Sequence, residues 1–320
     1  MKPQWIILFL LLVIMVSCDK EDDSHYQQDS SYIVLENGDS LYCTFHEYMS
    51  LQPVAQGQGG ACYGDYFIQG YNKNEFITIY NLKEKRNITT ISIPAPPPNS
   101  KTHTNTINFG GQRYDEKDYF PLLYISSGYS INGISYIYVY RIVGGGEKDD
   151  DFSISLVQTI SLKNFGSWTE GIIDAENGYL WIKHSIDGMS GYAKYDLPDI
   201  MKNKVTVQKE EYLQNFNLDP TPVNSGNQGH LFADGRILLV SGIPSEGQSL
   251  AFILINSLKE KYELILDLSE VGLHNYNVDN YFEPENLFFY NNQLMIGYRN
   301  VIYILNIQKV KNGVKSNYFS

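Results

Sequence analysis

Helical periodicity is nearly absent from this chain, and so are the motifs that identify common enzyme and metal-site classes. The sequence contains no CxxC pair, no Cys/His cluster of zinc spacing, no GxSxG, no P-loop and no HExxH. Basic residues are scarce as well, because 24 Lys and Arg stand against 36 Asp and Glu. A net charge of −12 argues against nucleic acid or an anionic membrane surface as a partner.

Cysteine is also scarce, with only Cys18, Cys43 and Cys62. Two alternatives stay open for Cys43 and Cys62: a disulfide in an oxidising compartment, or two buried free thiols. The consecutive acids at 149–151 lack the alternating ligand spacing of a calcium loop. We therefore expect no metal and no cofactor.

The one long apolar run occupies residues 5–16, after a single Lys. It is shorter than the ~20 residues that span a bilayer, and it suits the apolar region of a secretory signal. Ser17-Cys18 and the acidic stretch 19–23 follow it. This order resembles the signal of bacterial surface lipoproteins. The resemblance implies a signal peptide over 1–17, a lipid (palmitate) on Cys18, a flexible tether over 18–31 and an outer-membrane location facing the cell surface. The alternatives are an ordinary cleaved signal, or an anchored protein that faces the periplasm.

Tyrosine and phenylalanine are abundant, with 26 and 15 copies, and short runs rich in Tyr, Phe, Ile and Val predict β-strands. A pattern recurs five times: a polar residue, then six or seven residues later a pair that tolerates positive φ and closes a hairpin. The polar residues are Gln58, His103, Glu170, Gln228 and Glu285, and their turn pairs are 64–65, 110–111, 177–178, 234–235 and 291–292.

Each turn is followed by a second and a third strand, and four units have a fourth, which in the third unit is 204–212 (KVTVQKEEY). Such spacing is typical of four-stranded propeller blades. The fifth unit lacks its outer strand, and 41–48 (LYCTFHEY) can supply it and remove an exposed edge. We therefore predict an all-β fold over 32–320, a five-bladed β-propeller closed by its N-terminal strand. Alternatives are six or seven blades, with 26–56 in an additional blade, or a β-sandwich.

The first strand of each propeller blade lines the axis, so the polar starts of the five units should converge at one end. The predicted ligand-binding residues are Gln58, His103, Asn105, Trp168, Glu170, Gln228, His230, Glu283, Glu285 and Arg299, with Tyr71, Tyr129 and His184 on nearby loops. A mouth with aromatic walls and a few polar groups is the usual form of a small-molecule site. The alternative for each residue is a structural role in which it bonds water or neighbouring blades.

The repeats resemble bacterial five-bladed propellers, some of which bind glycans and some of which hydrolyse them. The resemblance implies a surface binding or scaffolding module, with glycan as a candidate ligand. One alternative is a carbohydrate-active hydrolase or lyase using Glu170 and Glu285; another is a structural component that binds an envelope protein. Arabinanase-type propellers use two Asp and one Glu, whereas no unit here starts with Asp. We therefore expect a binding protein more than an enzyme.

Overall fold

The structure is a computed structural model. It describes residues 30–34, 40–72, 75–94, 103–146, 148–186, 189–219, 227–242, 251–268 and 283–319. The predicted signal peptide, Cys18 and all of the predicted tether except residues 30–31 lie outside this part. Within the described part, no helix is long and apolar enough to span a membrane. The only helical element there is one short 3-10 turn, Lys209–Glu211.

Five small sheets form the five blades of a β-propeller, which confirms the predicted fold class. Blades 1 and 4 are regular, each with four antiparallel strands in sequence order. Blade 1 contains β3 (Gly57–Tyr63), β4 (Tyr66–Tyr71), β5 (Phe76–Asn81) and β6 (Arg86–Ser92). Blade 4 contains β17 (Asn227–Ala233), β18 (Arg236–Ser241), β19 (Phe252–Asn256) and β20 (Leu264–Asp267).

Blades 2 and 3 each carry one additional strand. Blade 2 contains β7 (Ile107–Phe109), β8 (Leu123–Ser126), β10 (Ile134–Gly145) and β11 (Lys148–Lys163), with β15 (Lys204–Gln208) outside β11. Blade 3 contains β12 (Trp168–Asp174), β13 (Tyr179–Ile186), β14 (Met189–Asp196) and β16 (Gln214–Asn217), with the two-residue β9 (Gly128–Tyr129) along β12.

The prediction that 204–212 forms the outer strand of the third unit is wrong. Residues 204–208 form β15, which pairs in parallel with β11 of blade 2, from Thr159↔Lys204 to Lys163↔Gln208. The outer strand of blade 3 is β16 instead. The physical reason is Val207, which is buried in the apolar cluster between blades 2 and 3.

Blade 5 is completed by the N-terminal strand, as predicted. It contains β21 (Pro284–Tyr290), β22 (Gln293–Tyr298) and β23 (Val301–Lys311), and β2 (Ser40–Ser50) pairs antiparallel with β23 along nearly its whole length. A short strand, β1 (Ser30–Val34), pairs outside β2, and the C-terminal β24 (Val314–Asn317) pairs with β23. The chain therefore closes its ring by joining both ends in one sheet.

Two of the predicted hairpins have the expected turn chemistry. Asp234 and Gly235 have φ values of 52° and 66°, and Asn291 and Asn292 have 49° and 60°. Positive φ at both central residues is the type I′ turn, whose twist matches that of paired strands. The hairpin predicted at 110–111 is wrong, because residues 110–122 form a longer connection between β7 and β8. Arg141 of β10 fixes that connection by donating from Nε and Nη2 to the Asp118 carboxylate, at 2.9 and 2.8 Å.

Among the described residues, the hydrophobic core consists of five clusters, each lying between two adjacent blades. The cluster between blades 3 and 4 is the smallest, with Ile172, Trp181, Tyr192 and Ile237 as its fully buried members. Polar and charged side chains occupy much of that interface instead. Cys43 and Cys62 are free thiols in different clusters, so the disulfide alternative is not the one observed.

Candidate functional site

The inner strands begin at one end of the ring, here called the polar end, and two glycines let them approach one another. A Cβ atom on Gly59 would lie 2.3 Å from the backbone oxygen of Asn105, and one on Gly229 would lie 2.5 Å from that of Glu285. Any side chain at these positions would collide with backbone. The polar residues beside the glycines, Gln58 and Gln228, are consequently held in a tightly packed, buried setting.

Glu170 is the centre of the polar end. Its side chain is fully buried at the start of β12 and meets groups from blades 2, 3 and 4. The contacting atoms are Trp168 Nε1 at 2.5 Å, Thr106 Oγ1 at 2.8 Å, Asn105 Nδ2 at 3.3 Å and His230 Nδ1 at 2.5 Å. One carboxylate thus joins three blades, and four of the predicted site residues, counting Glu170 itself, form this cluster.

The protonation states in this cluster follow from burial and contact. Burial opposes ionisation of Glu170, but its contact with His230, the charge of Lys183 and the Thr106 hydroxyl hold the pKa of its carboxyl below the ordinary value. Burial lowers the pKa of His230 despite the nearby carboxylate. A neutral imidazole that donates from Nδ1 to Glu170 leaves a lone pair on Nε2, and Nε2 has no hydrogen-bond partner among the described residues.

Lys183 is a member of this cluster that sequence reasoning missed. It lies on β13 directly opposite Glu170 and is only 4% exposed. Burial lowers the pKa of its amine, and the Glu170 charge opposes that shift. A lysine is almost never buried without a charged partner. The available signal was one basic residue inside the apolar second strand 179–184 (YLWIKH).

Glu285 forms a second, separate cluster with Gln58, Glu283 and Arg299. Gln58 Nε2 donates to its Oε1 at 3.2 Å, and Arg299 Nε lies 3.4 Å from the same oxygen. Arg299 also donates from Nη2 to Glu283 at 2.8 Å. Burial raises the pKa of Glu285 well above its ordinary value, the Glu283 charge adds to this, and Arg299 opposes it.

The pKa values of the two predicted carboxyls therefore shift in opposite directions, that of Glu170 below its ordinary value and that of Glu285 well above it. The like-charge contribution to the Glu285 shift comes from Glu283, two residues away. Opposite pKa shifts on two carboxyls can serve one acid and one base. Each carboxyl here already has protein partners, so the same arrangement also serves to hold blades together.

Three rings from blades 2 and 3 form what we call the aromatic trio: His103, Tyr129 and Trp168. The Tyr129 and Trp168 rings lie edge to face with centroids 4.6 Å apart, and the His103 ring is within 5.8 Å of both. Tyr129 is 42% exposed, and the other two are partly exposed. Asn72 of blade 1 contacts His103 Nδ1 at 2.5 Å. Glu170, Glu283 and Arg299 all act on the pKa of His103, which burial lowers overall, so the trio lies near both clusters.

Three further residues predicted near the mouth, Gln228, Tyr71 and His184, lie outside the aromatic trio and have different surroundings. Gln228 donates weakly to the Gly242 oxygen at 3.4 Å, and its own Oε1, like that of Gln58, is buried with no partner in the described chain. Tyr71 is 1% exposed and its hydroxyl bonds Thr78, so its ring is not offered to a ligand. His184 is buried, and its Nε2 lies 3.0 Å from Asn215 Oδ1.

No protein-family model matches the chain, and no curated protein does either. Several solved structures are similar at low identity. Glutaminyl cyclase of Myxococcus xanthus has a TM-score of 0.48 and 10% identity over 83% of this chain and 97% of that one. A PQQ-bound aldose sugar dehydrogenase of Streptomyces coelicolor has a TM-score of 0.47 and 7% identity, over 83% and 98%. An engineered GH43 glycoside hydrolase has a TM-score of 0.47 and 10% identity, over 84% and 53%. Likenesses this distant carry no activity over to this chain.

Proposed function

We propose that this protein is a lipid-anchored, cell-surface binding protein that recognises glycans at the polar end of its propeller. The observation that carries the proposal is the aromatic trio, a partly exposed set of rings next to two clusters of hydrogen-bonding groups. A sugar has apolar C–H faces and hydroxyl edges. Rings such as Tyr129 and Trp168 suit the faces, while Arg299 and Glu283 suit the edges.

The hydrogen bonds of the Glu170 carboxylate favour a binding function over hydrolysis. Its two oxygens already have four close side-chain partners, from Asn105, Thr106, Trp168 and His230. A nucleophile or general base needs a free oxygen within reach of the substrate. Glu170 would have to give up several of these bonds to act, whereas in a binding protein the same bonds keep the Trp168 ring in place.

The proposal predicts that Tyr129→Ala and Trp168→Ala weaken glycan binding while the fold stays intact. A glycan array probed with the soluble domain, residues 26–320, would first identify a ligand. Loss of one stacking ring costs about 1.4 kcal/mol, which corresponds to about a tenfold higher Kd by titration calorimetry.

Tyr212→Ala is the matched control for Tyr129→Ala, since Tyr212 is a similarly exposed tyrosine, at 48%, outside the trio. Its variant should bind like the wild type. Equal losses in the two tyrosine variants, or an array with no glycan signal, would argue against a glycan site at the polar end.

Membrane attachment is proposed from Cys18 alone. We expect Cys18→Ala to move the protein from the membrane pellet to the soluble fraction, or to leave a larger unprocessed precursor, because position 18 then has no thiol to be lipidated. Fractionation and intact-mass measurement check this. The control is Cys43→Ala, at a cysteine buried in the core. Unchanged processing and fractionation of Cys18→Ala would rule out the lipid anchor.

A further inference from the structure

The axis also has a cavity at its other end, where the inner strands finish, and we call it the apolar cup. Its volume is about 240 Å³, and all five inner strands or the turns after them contribute to its wall. Four phenylalanines line it, one from blade 2, one from blade 4 and two from blade 5: Phe109, Phe232, Phe288 and Phe289. Phe288 is buried, whereas the other three are partly exposed around the rim.

The cup offers a ligand mainly apolar surface and no charged group. None of its lining residues carries a charge at neutral pH, because burial raises the pKa of the Cys62 thiol to about 12. Cys62 also lies within 3.5 Å of the Gly64 oxygen, to which its thiol donates. An occupant of the cup therefore gains by leaving water and not by forming hydrogen bonds.

Asn108 closes the floor of the cup. Its Nδ2 donates to the His230 oxygen of blade 4 at 3.0 Å, and its Oδ1 accepts from the Ile173 nitrogen of blade 3 at 3.1 Å. Both ends of this amide are thus used by backbone, and the bonds tie blades 2, 3 and 4 together across the axis. The floor separates the cup from the Glu170 cluster, so the cup is independent of the proposed glycan site.

The volume of the cup limits the size of the ligand that it can hold. A cavity of about 150 Å³ lined by apolar side chains can hold one benzene molecule, and pockets for drug-sized ligands start at about 300 Å³. The cup lies between these limits. Its walls are aromatic, and aromatic rings pack well against the edges and faces of other rings.

We propose that the apolar cup is a second binding site, specific for a small uncharged molecule that carries one aromatic ring. The site needs no change in the polar end, and its ligand enters from the opposite face of the propeller.

Toluene is the test probe, and saturation-transfer NMR on the full domain is the measurement. Two variants fill the cup from different blades: Ala233→Trp, from the end of β17, and Ala175→Trp, from the turn after β12. Ala175 is exposed and Ala233 is at the rim, so at least one variant should fold, as judged by its melting curve. Trp168→Ala is the control, since it alters only the polar end.

We expect toluene to bind the wild type and Trp168→Ala equally, and each folded filling variant at least about tenfold more weakly, which corresponds to the loss of roughly 1.4 kcal/mol of apolar contact. Dioxane, a ring of similar size without aromatic character, should give no transfer. Absence of toluene binding to the wild type, or binding that persists in a folded filling variant, would overturn the proposal.

Discussion

Deletion of residues 32–48 is expected to destroy cooperative folding of the propeller. The deletion removes most of β2, the outer strand of blade 5, and leaves the long edge of β23 unpaired. It also removes Leu41 and Cys43, which are fully buried in the cluster between blades 4 and 5. Circular dichroism or calorimetry should show a broad or absent melting transition. A transition within a few degrees of the intact chain would contradict the role of β2 in closing the ring.

A point substitution separates this effect from the general damage of a deletion. Leu41→Ala should cost about 2–5 kcal/mol through lost contacts and the cavity left behind, which lowers Tm by about 5–15 °C for a domain of this size. His46→Ala is the matched control, because His46 lies on the same strand with its side chain exposed. Its variant should melt within about 2 °C of the wild type.

The second large effect is expected for Glu170→Ala, at about 3–5 kcal/mol of unfolding free energy, the usual result of removing one partner of a buried charged pair. The substitution leaves Lys183 buried without its opposite charge and leaves the indole nitrogen of Trp168 without its acceptor. Urea unfolding measures the loss. Glu176→Ala, at an exposed position of the same blade, is the control and should be nearly neutral.

A double variant tests whether Lys183 is the reason for that cost. Lys183→Met in the Glu170→Ala background should recover part of the lost stability, because it removes the uncompensated buried amine.

The pH dependence has a definite sign. The pKa of Glu170 is lower in the folded protein, so its contribution is present above the unfolded value, about 4.3, and is lost as the pH falls through the folded value. A gap between wild type and Glu170→Ala that stays constant into strong acid would contradict the ionised state of Glu170.

The sequence predicted the blades well wherever local chemistry decides the structure. The pairs at 234–235 and 291–292 close hairpins because Asp, Asn and Gly tolerate positive φ, and short apolar runs mark the flanking strands. The errors in the predicted strand pairing arose where contact with another blade determines the structure. Residues 204–208 have the composition of a strand, but their sequence does not reveal that they pair with β11.

The site was predicted less completely for the same reason. The repeat brings Glu170 and Glu285 to one end of the axis, but it does not reveal which blade supplies each hydrogen-bond partner. His230 meets Glu170 only because blades 3 and 4 pack side by side, and Lys183 meets it because β12 and β13 pair in that register. The opposite pKa shifts of the two carboxyls then follow from those partners and from burial, neither of which can be inferred from spacing.

The pairing of β2 with β23 also has a consequence for how the chain folds. A ribosome releases β2 before the strands of blades 1 to 4 and β23 after them, so β2 must wait through their synthesis for its partner. Such distant pairing makes the final step slow, and until then β23 and the apolar face of β2 are open to pairing with other molecules. High expression should therefore favour aggregates joined through blade 5, and adding the missing strand as a free peptide (residues 40–50) should suppress them.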